Sequence, residues 1–122
     1  FELTRDTQKA VEHFREKISF IMSPYELNDI IQNGYNHIQI VDVRARDAYE
    51  QSHIKGAISI PWAEMQNNLD KLSKDKINVV YCYYQQCHAG AKACLILAEN
   101  GFPVMDLEGG FQVWSKLGYP VE

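Results

Sequence analysis

The strongest constraint on the fold is the stretch Ile38-Gln39-Ile40-Val41-Asp42-Val43, which is of strand length, β-branched and apolar nearly throughout. A strand with one face in water alternates apolar and polar residues, whereas a strand covered on both faces reads as a continuous apolar run. Ile77-Asn78-Val79-Val80-Tyr81 and Val104-Met105-Asp106-Leu107 have the same character, and Ala57-Ile58-Ser59-Ile60 is a shorter strand stopped by Pro61. Between them lie stretches of helical character: Ala63 to Leu72, Gly90 to Asn100 stopped by Gly101, and Phe111 to Leu117 stopped by Gly118. Strands that alternate with helices predict an α/β fold, a parallel β-sheet flanked by helices on both faces. With 122 residues, 46% of them hydrophobic, there is material for one core and one such domain.

Ahead of the first strand, Ala10, Val11, Phe14 and Ile18 recur at helical spacing among charged residues. This predicts an added N-terminal amphipathic helix from Asp6 to about Lys17, within a segment 1–22 that packs on the domain formed by residues 23–122. Ser23-Pro24-Tyr25-Glu26 has the form of a capping box. It opens a second helix whose apolar stripe is Leu27, Ile30 and Ile31 and whose stop is Gly34.

Charge narrows the function. The net charge is −4, and the densest basic segment, Lys71, Lys74 and Lys76, is diluted by Asp70 and Asp75. Such a surface repels phosphate backbones, so no nucleic-acid partner is expected. The longest apolar stretch, Ala93 to Ala98, falls far short of the roughly 20 residues a membrane span needs, so no membrane partner is expected either. The three cysteines, Cys82, Cys87 and Cys94, are crowded together and odd in number. That is no disulfide framework, and it favours a reducing, cytoplasmic setting.

In open α/β sheets chemistry collects beyond the carboxyl ends of the strands. Three of those ends carry reactive or unusual residues here: Asp42 with Arg44, Cys82, and Glu108-Gly109-Gly110. Cys82 closes a buried strand and opens the loop Tyr83-Tyr84-Gln85-Gln86-Cys87-His88, which runs into a helix. The unpaired N–H groups at that helix start favour negative charge, so a thiol in their field ionises more readily and becomes a nucleophile. Cys94, within Ala93-Cys94-Leu95-Ile96-Leu97, reads as core packing. Cys87 is open between an idle loop residue, a resolving thiol and the nucleophile itself. Two thiols five positions apart also raise a thiol switch, provided their Cα atoms come within about 7 Å. A metal is not expected, because Cys82, Cys87, His88 and Cys94 lack the paired spacing of structural zinc sites. His13 and His37 read as surface or packing residues.

Taken together, Val41-Asp42-Val43-Arg44 with Tyr49-Glu50 and His53 to Pro61, then Val79-Val80-Tyr81-Cys82, then Leu107-Glu108-Gly109-Gly110-Phe111 with Trp114 and Gly118 to Val121, make the chain resemble the rhodanese-like sulfurtransferases. The likeness runs from about Ile38 to the end. It implies a single-domain enzyme without a cofactor, in which Cys82 takes a sulfane sulfur from a small-molecule donor such as thiosulfate, a polysulfide or a persulfide. Cys82 then passes that sulfur, as a persulfide, to a thiol or cyanide acceptor. Tyr83, Tyr84, Gln85, Gln86, Cys87 and His88 would line the substrate site, while Asp42, Arg44 and His53 would brace it. Two departures stand out. The loop is about two residues longer than the family's usual one, and it holds no arginine: His88 stands where related phosphatases and arsenate reductases carry that residue. Loss of the arginine fork disfavours oxyanion chemistry. The remaining alternatives are a non-catalytic binding or regulatory module on the same scaffold and a Cys82–Cys87 redox switch. A monomer or weak association is expected.

Overall fold

The computed structural model describes residues 3–122. Five strands form one wholly parallel sheet: β1 (Ile21–Met22), β2 (Ile38–Asp42), β3 (Ile58–Ser59), β4 (Ile77–Tyr81) and β5 (Val104–Leu107). Their spatial order is β1-β5-β4-β2-β3. The central strand β4 pairs with β2, setting Asp42 opposite Tyr81, and with β5, setting Val80 opposite Asp106.

Strand alternation divides the core into two layers. Ile40, Val79, Tyr81 and Leu107 face one side with Met22 and Ile54. That side is covered by Leu27 of α2 (Pro24–Gln32) and Trp114 of α5 (Gly110–Lys116). Val41, Val43, Val80 and Cys82 face the other side, against Ala93 and Leu97 of α4 (Ala89–Glu99), with Ile60, Met65 and Phe102. The two-sided covering explains why the strands read as unbroken apolar runs.

At the start of α2, Ser23 Oγ accepts from the Glu26 N–H and Glu26 Oε1 accepts from the Ser23 N–H, each at 3.2 Å. Three local expectations are corrected. The stretch from Ala63 to Leu72 is not one helix but two 3₁₀ segments, Trp62–Asn67 and Leu69–Lys71. Asn68 Nδ2 donates to the Glu64 carbonyl at 2.7 Å, taking over the acceptor that a continuing helix would have used. A short helix α3 (Arg46–Gln51), absent from the sequence reading, follows β2.

The third correction concerns the N-terminal segment. Helix α1 (Thr7–Phe20) runs three residues past the expected end and buries none of its residues. Val11, Phe14 and Ile18 of its apolar stripe are exposed, so the expected packing of that face on the domain is not present. The helix is joined to the body through β1, which pairs with β5 and makes residues 21–22 part of the sheet, and through a Lys17–Glu108 ion pair at 3.8 Å.

The hydroxyl of Tyr81 is fully buried at the junction of the strand ends. It donates to Asp42 Oδ2 at 2.7 Å and accepts from the Ile54 N–H at 3.1 Å. Tyr81→Phe keeps the ring but leaves the Ile54 N–H without its acceptor and removes one of the donors to Asp42, which Arg44 still holds. Chemical denaturation is expected to show a loss of about 1–3 kcal/mol, the cost of a buried donor left without a partner.

Candidate active site

Cys82 lies immediately beyond β4, flanked by the carboxyl ends of β2 and β5. Its side chain belongs to the α4-side layer with Val43, Val80 and Ala93, and only 4% of the residue is exposed. The sulfur is bonded to that of Cys87, whose Cα is 6.5 Å away, so the loop between them closes on itself. In this state Cys82 is not the free, ionised thiol anticipated from the helix start. Cys94 is the one free cysteine among the described residues. Burial, followed by the charge of Asp106, pushes its thiol up to about 12, in keeping with a packing role.

The loop is held from outside rather than within. The Phe111 N–H donates to the Cys82 carbonyl and the Gln112 N–H to the Tyr83 carbonyl, both at 2.9 Å. Gln85 Oε1 accepts from the Gly109 N–H at 2.6 Å. Gly110 makes this docking possible. At φ +61°, a Cβ there would lie 2.8 Å from both the Cys82 carbonyl oxygen and the Tyr84 nitrogen. Backbone cannot yield as a flexible side chain could, so the strand-end glycine is a requirement of the cysteine loop.

Within the loop, the Cys87 N–H donates to the Tyr84 carbonyl at 3.0 Å. Among the described residues, the N–H groups of Tyr83 to Gln86 and of His88 to Ala91 donate to no protein acceptor. Those from Ala89 onward belong to the first turn of α4, so the loop and helix start together offer uncommitted donors to an anion.

Of the expected bracing residues, Asp42 and Arg44 meet beneath the loop. Arg44 Nη2 donates to Asp42 Oδ2 and to the Ser52 carbonyl, each at 2.7 Å, and both side chains are buried. Burial opposes the guanidinium charge, but the hydrogen bond and charge of Asp42 outweigh it and hold its pKa above the ordinary value. The guanidinium also lies 4.1 Å from the centre of the Phe111 ring and 5.8 Å from that of Tyr83. Tyr83 in turn accepts from the Ala45 N–H at 3.2 Å. Arg44 is therefore committed to the frame and does not supply the fork that the loop lacks.

His53 stands apart from this group. It stacks on Tyr49 with ring centres 3.7 Å apart, and its Nδ1 bonds the Tyr49 carbonyl at 2.8 Å. Its backbone exchanges hydrogen bonds with Glu122, so what it fixes directly is the chain's last residues. Tyr84, Gln85, Gln86 and His88 are exposed on the loop.

Three contributors escape a residue-by-residue reading. Tyr81 reads as strand alone, although a buried phenol beside an aspartate must spend its hydroxyl on something. Trp62 falls between the strand stop at Pro61 and the helix expected from Ala63. Asp106 reads as a strand residue, yet the point where a Gly90 Cβ would sit is 2.9 Å from Asp106 Oδ1 and 3.7 Å from Cys82 Cβ. Its carboxylate and Cys82 both flank Gly90, and it has no hydrogen-bond or ion-pair partner among the described residues. The available signal was a charge at the second-last position of an otherwise apolar strand.

Residues 23–117 match the rhodanese-like domain. The chain belongs to the rhodanese-like domain family. The thiosulfate sulfurtransferase GlpE of Coxiella burnetii is 38% identical over 79 residues, which span 64% of this chain and 72% of that protein. An HTH-type transcriptional regulator of Mycobacterium tuberculosis, Rv0324, is 36% identical over 85 residues, or 70% of this chain but 38% of the regulator. The rhodanese-like fold therefore occurs in relatives of different function. The crystal structure of the BH2092 protein from Bacillus halodurans superposes with a TM-score of 0.91 at 36% identity, covering 96% of this chain and 86% of that one. That coverage includes most of the N-terminal segment lying outside the rhodanese-like match.

Two predictions follow from the strand ends. Gly110→Ala is expected to cost about 2–4 kcal/mol in urea unfolding, because it combines a left-handed φ with a backbone clash. Asp106 gives a pH-dependent result, since burial raises its carboxyl from 3.8 to about 6. A raised acid favours folding while protonated, so its contribution is fully present below pH 3.8 and is lost as pH rises through about 6. Asp106→Asn should therefore stabilise the rhodanese-like domain at pH 8 by about 1–2 kcal/mol, a figure discounted for solvent screening. Urea titrations should show that gain shrinking to nothing near pH 4.

Proposed function

We propose that this domain is a sulfurtransferase that carries sulfane sulfur on Cys82. The observation that carries this reading is the position of Cys82: it ends the central strand of a rhodanese-like sheet and opens a loop whose N–H donors are uncommitted. The similarity to a thiosulfate sulfurtransferase supports the same class of reaction. The reduced Cys82 thiolate attacks the outer sulfur of a donor. With thiosulfate, the S–S bond breaks towards the sulfonate, sulfite leaves, and the negative charge stays on the new persulfide. An acceptor thiolate or cyanide then takes the terminal sulfur and regenerates the Cys82 thiolate. The uncommitted amides stabilise the anionic sulfur at both stages.

The lack of a loop arginine favours donors that do not depend on a guanidinium fork, with polysulfides and organic persulfides ahead of thiosulfate. Asp42 and Arg44 act through the frame, keeping Tyr83 and the strand ends in register. The site is expected to work on small sulfur compounds, in a monomer and in a reducing cytoplasm.

The Cys82–Cys87 bond favours a second element of the reading: the paired form is a resting state that must be reduced before sulfur can load. Mass spectrometry of the reduced protein after incubation with polysulfide tests the assignment. Wild type and Cys87→Ser should each gain one sulfur atom on Cys82, and Cys82→Ser should gain none. Loading of Cys82→Ser together with failure of Cys87→Ser would move the nucleophile to Cys87.

A further inference from the structure

The two sulfurs of the loop are unequally presented. Cys82 is packed into the α4-side core, whereas Cys87 is half-buried and forms part of the wall of an open cleft of about 370 Å³. Pro61, Trp62, Ala63, Tyr83 and Ala89 supply most of the remaining wall. The lining is largely apolar, and Trp62 and Tyr83 are both partly open to solvent. Arg44 also borders the cleft, but its guanidinium is held by Asp42 and Ser52. Next to lining residues Ala45 and Ala63 in the chain, Arg46 is paired with Glu64 at 2.8 Å, and Lys92 Nζ lies 5.2 Å from the centre of the Trp62 ring. The volume suits a small organic molecule, and the lining suits one with an apolar body rather than a small inorganic anion.

We propose that this cleft seats an apolar low-molecular-weight thiol, whose sulfur attacks Sγ of Cys87 and releases Cys82 as the thiolate. The identification of the ligand as a thiol follows from what the cleft exposes. A disulfide sulfur reacts with a thiolate by in-line displacement, and of the two cysteines only Cys87 lines the cleft. Attack at Cys82 would have to come through the packing of Val43, Val80 and Ala93. The leaving group also favours this direction, because Cys82 opens the loop whose amides, with those of the α4 start, are uncommitted.

The electrons balance in two exchanges. The ligand thiolate forms an S–S bond to Cys87 as the Cys87–Cys82 bond breaks, and the electron pair leaves on Cys82. A second thiolate of the same class then attacks the ligand sulfur and frees Cys87, so two thiols end as one small disulfide and both cysteines end reduced. This proposal rests on Cys82 as the sulfur carrier, since it supplies the step that readies that residue.

The experiment uses the oxidised full chain with no sulfur donor present, so its result is independent of whether Cys82 later loads sulfur. Benzyl mercaptan is added, the reaction is quenched with acid at early times, and free thiols are blocked with N-ethylmaleimide before peptide mass spectrometry. The benzylthio group is expected on Cys87 and the maleimide on Cys82, in at least about tenfold excess over the reverse arrangement. An equal distribution or the reverse one overturns the proposal, as does an oxidised protein with three free thiols. Trp62→Ala should slow opening by benzyl mercaptan about 5–10-fold, the share expected from apolar burial against one aromatic wall. Opening by 2-mercaptoethanol should change less than about twofold, and Trp62→Phe should restore most of the benzyl mercaptan rate. Equal slowing with both thiols, or none with either, removes the cleft from the account. Persulfide loading of the reduced wild type, measured separately, reports on the sulfurtransferase reading alone.

Discussion

Tyr81, Asp42 and Arg44 form the polar contact on which the site's geometry depends. A carboxylate inside a sheet is costly unless its lone pairs are used, and here the phenol, the guanidinium and the Arg44 N–H all donate to it. Burial, reinforced by the Asp42 charge, pushes the Tyr81 phenol upward, so it remains a donor throughout the accessible pH range. The contact joins the end of β2 to the end of β4. Through Ser52 and Ile54 it also holds the segment that leads into β3. Cys82 is the residue after Tyr81, so its position inherits that rigidity.

The cysteine loop gains its shape by a different route. It makes few internal hydrogen bonds and leans instead on the turn after β5, through Phe111, Gln112 and the amide of Gly109. Gly110 at that turn lets one backbone lie directly against another. The consequence is chemical as well as structural. A loop fastened from outside keeps its own N–H groups available, and those groups are what an anionic sulfur requires. The loop holds no arginine, so the donors it presents are main-chain N–H groups, and an apolar cleft lies beside it.

The cysteine pair adds a state to that site. The loop holds Cys82 in a bonded form, and on the proposed function reduction must precede sulfur loading. The asymmetry between the two sulfurs gives the change a direction. Cys82 is buried and Cys87 half-buried beside the cleft, which is the basis for proposing that a reductant meets Cys87 first. Asp106 and Cys82 flank Gly90 at the start of α4, and a side chain at that position would meet both.

The sequence by itself determined the elements whose signals are local. Apolar runs of strand length, the Ser23 capping box and the helix-stopping glycines depend only on neighbours along the chain, and the four strands and main helices they announced are present. The placement of Asp42, Arg44 and Cys82 at or just beyond the strand ends was legible because each follows a buried apolar run. Tertiary structure decided the rest. Whether the stripe of α1 is covered, whether Ala63 to Leu72 coils as one helix, and that His53 grips the last residue all depend on partners distant in the sequence. So do the closure of Cys82 on Cys87, the cleft beside Trp62 and the isolation of Asp106. Spacing along a chain sets which side chains share a face, but only the packed sheet sets which faces meet.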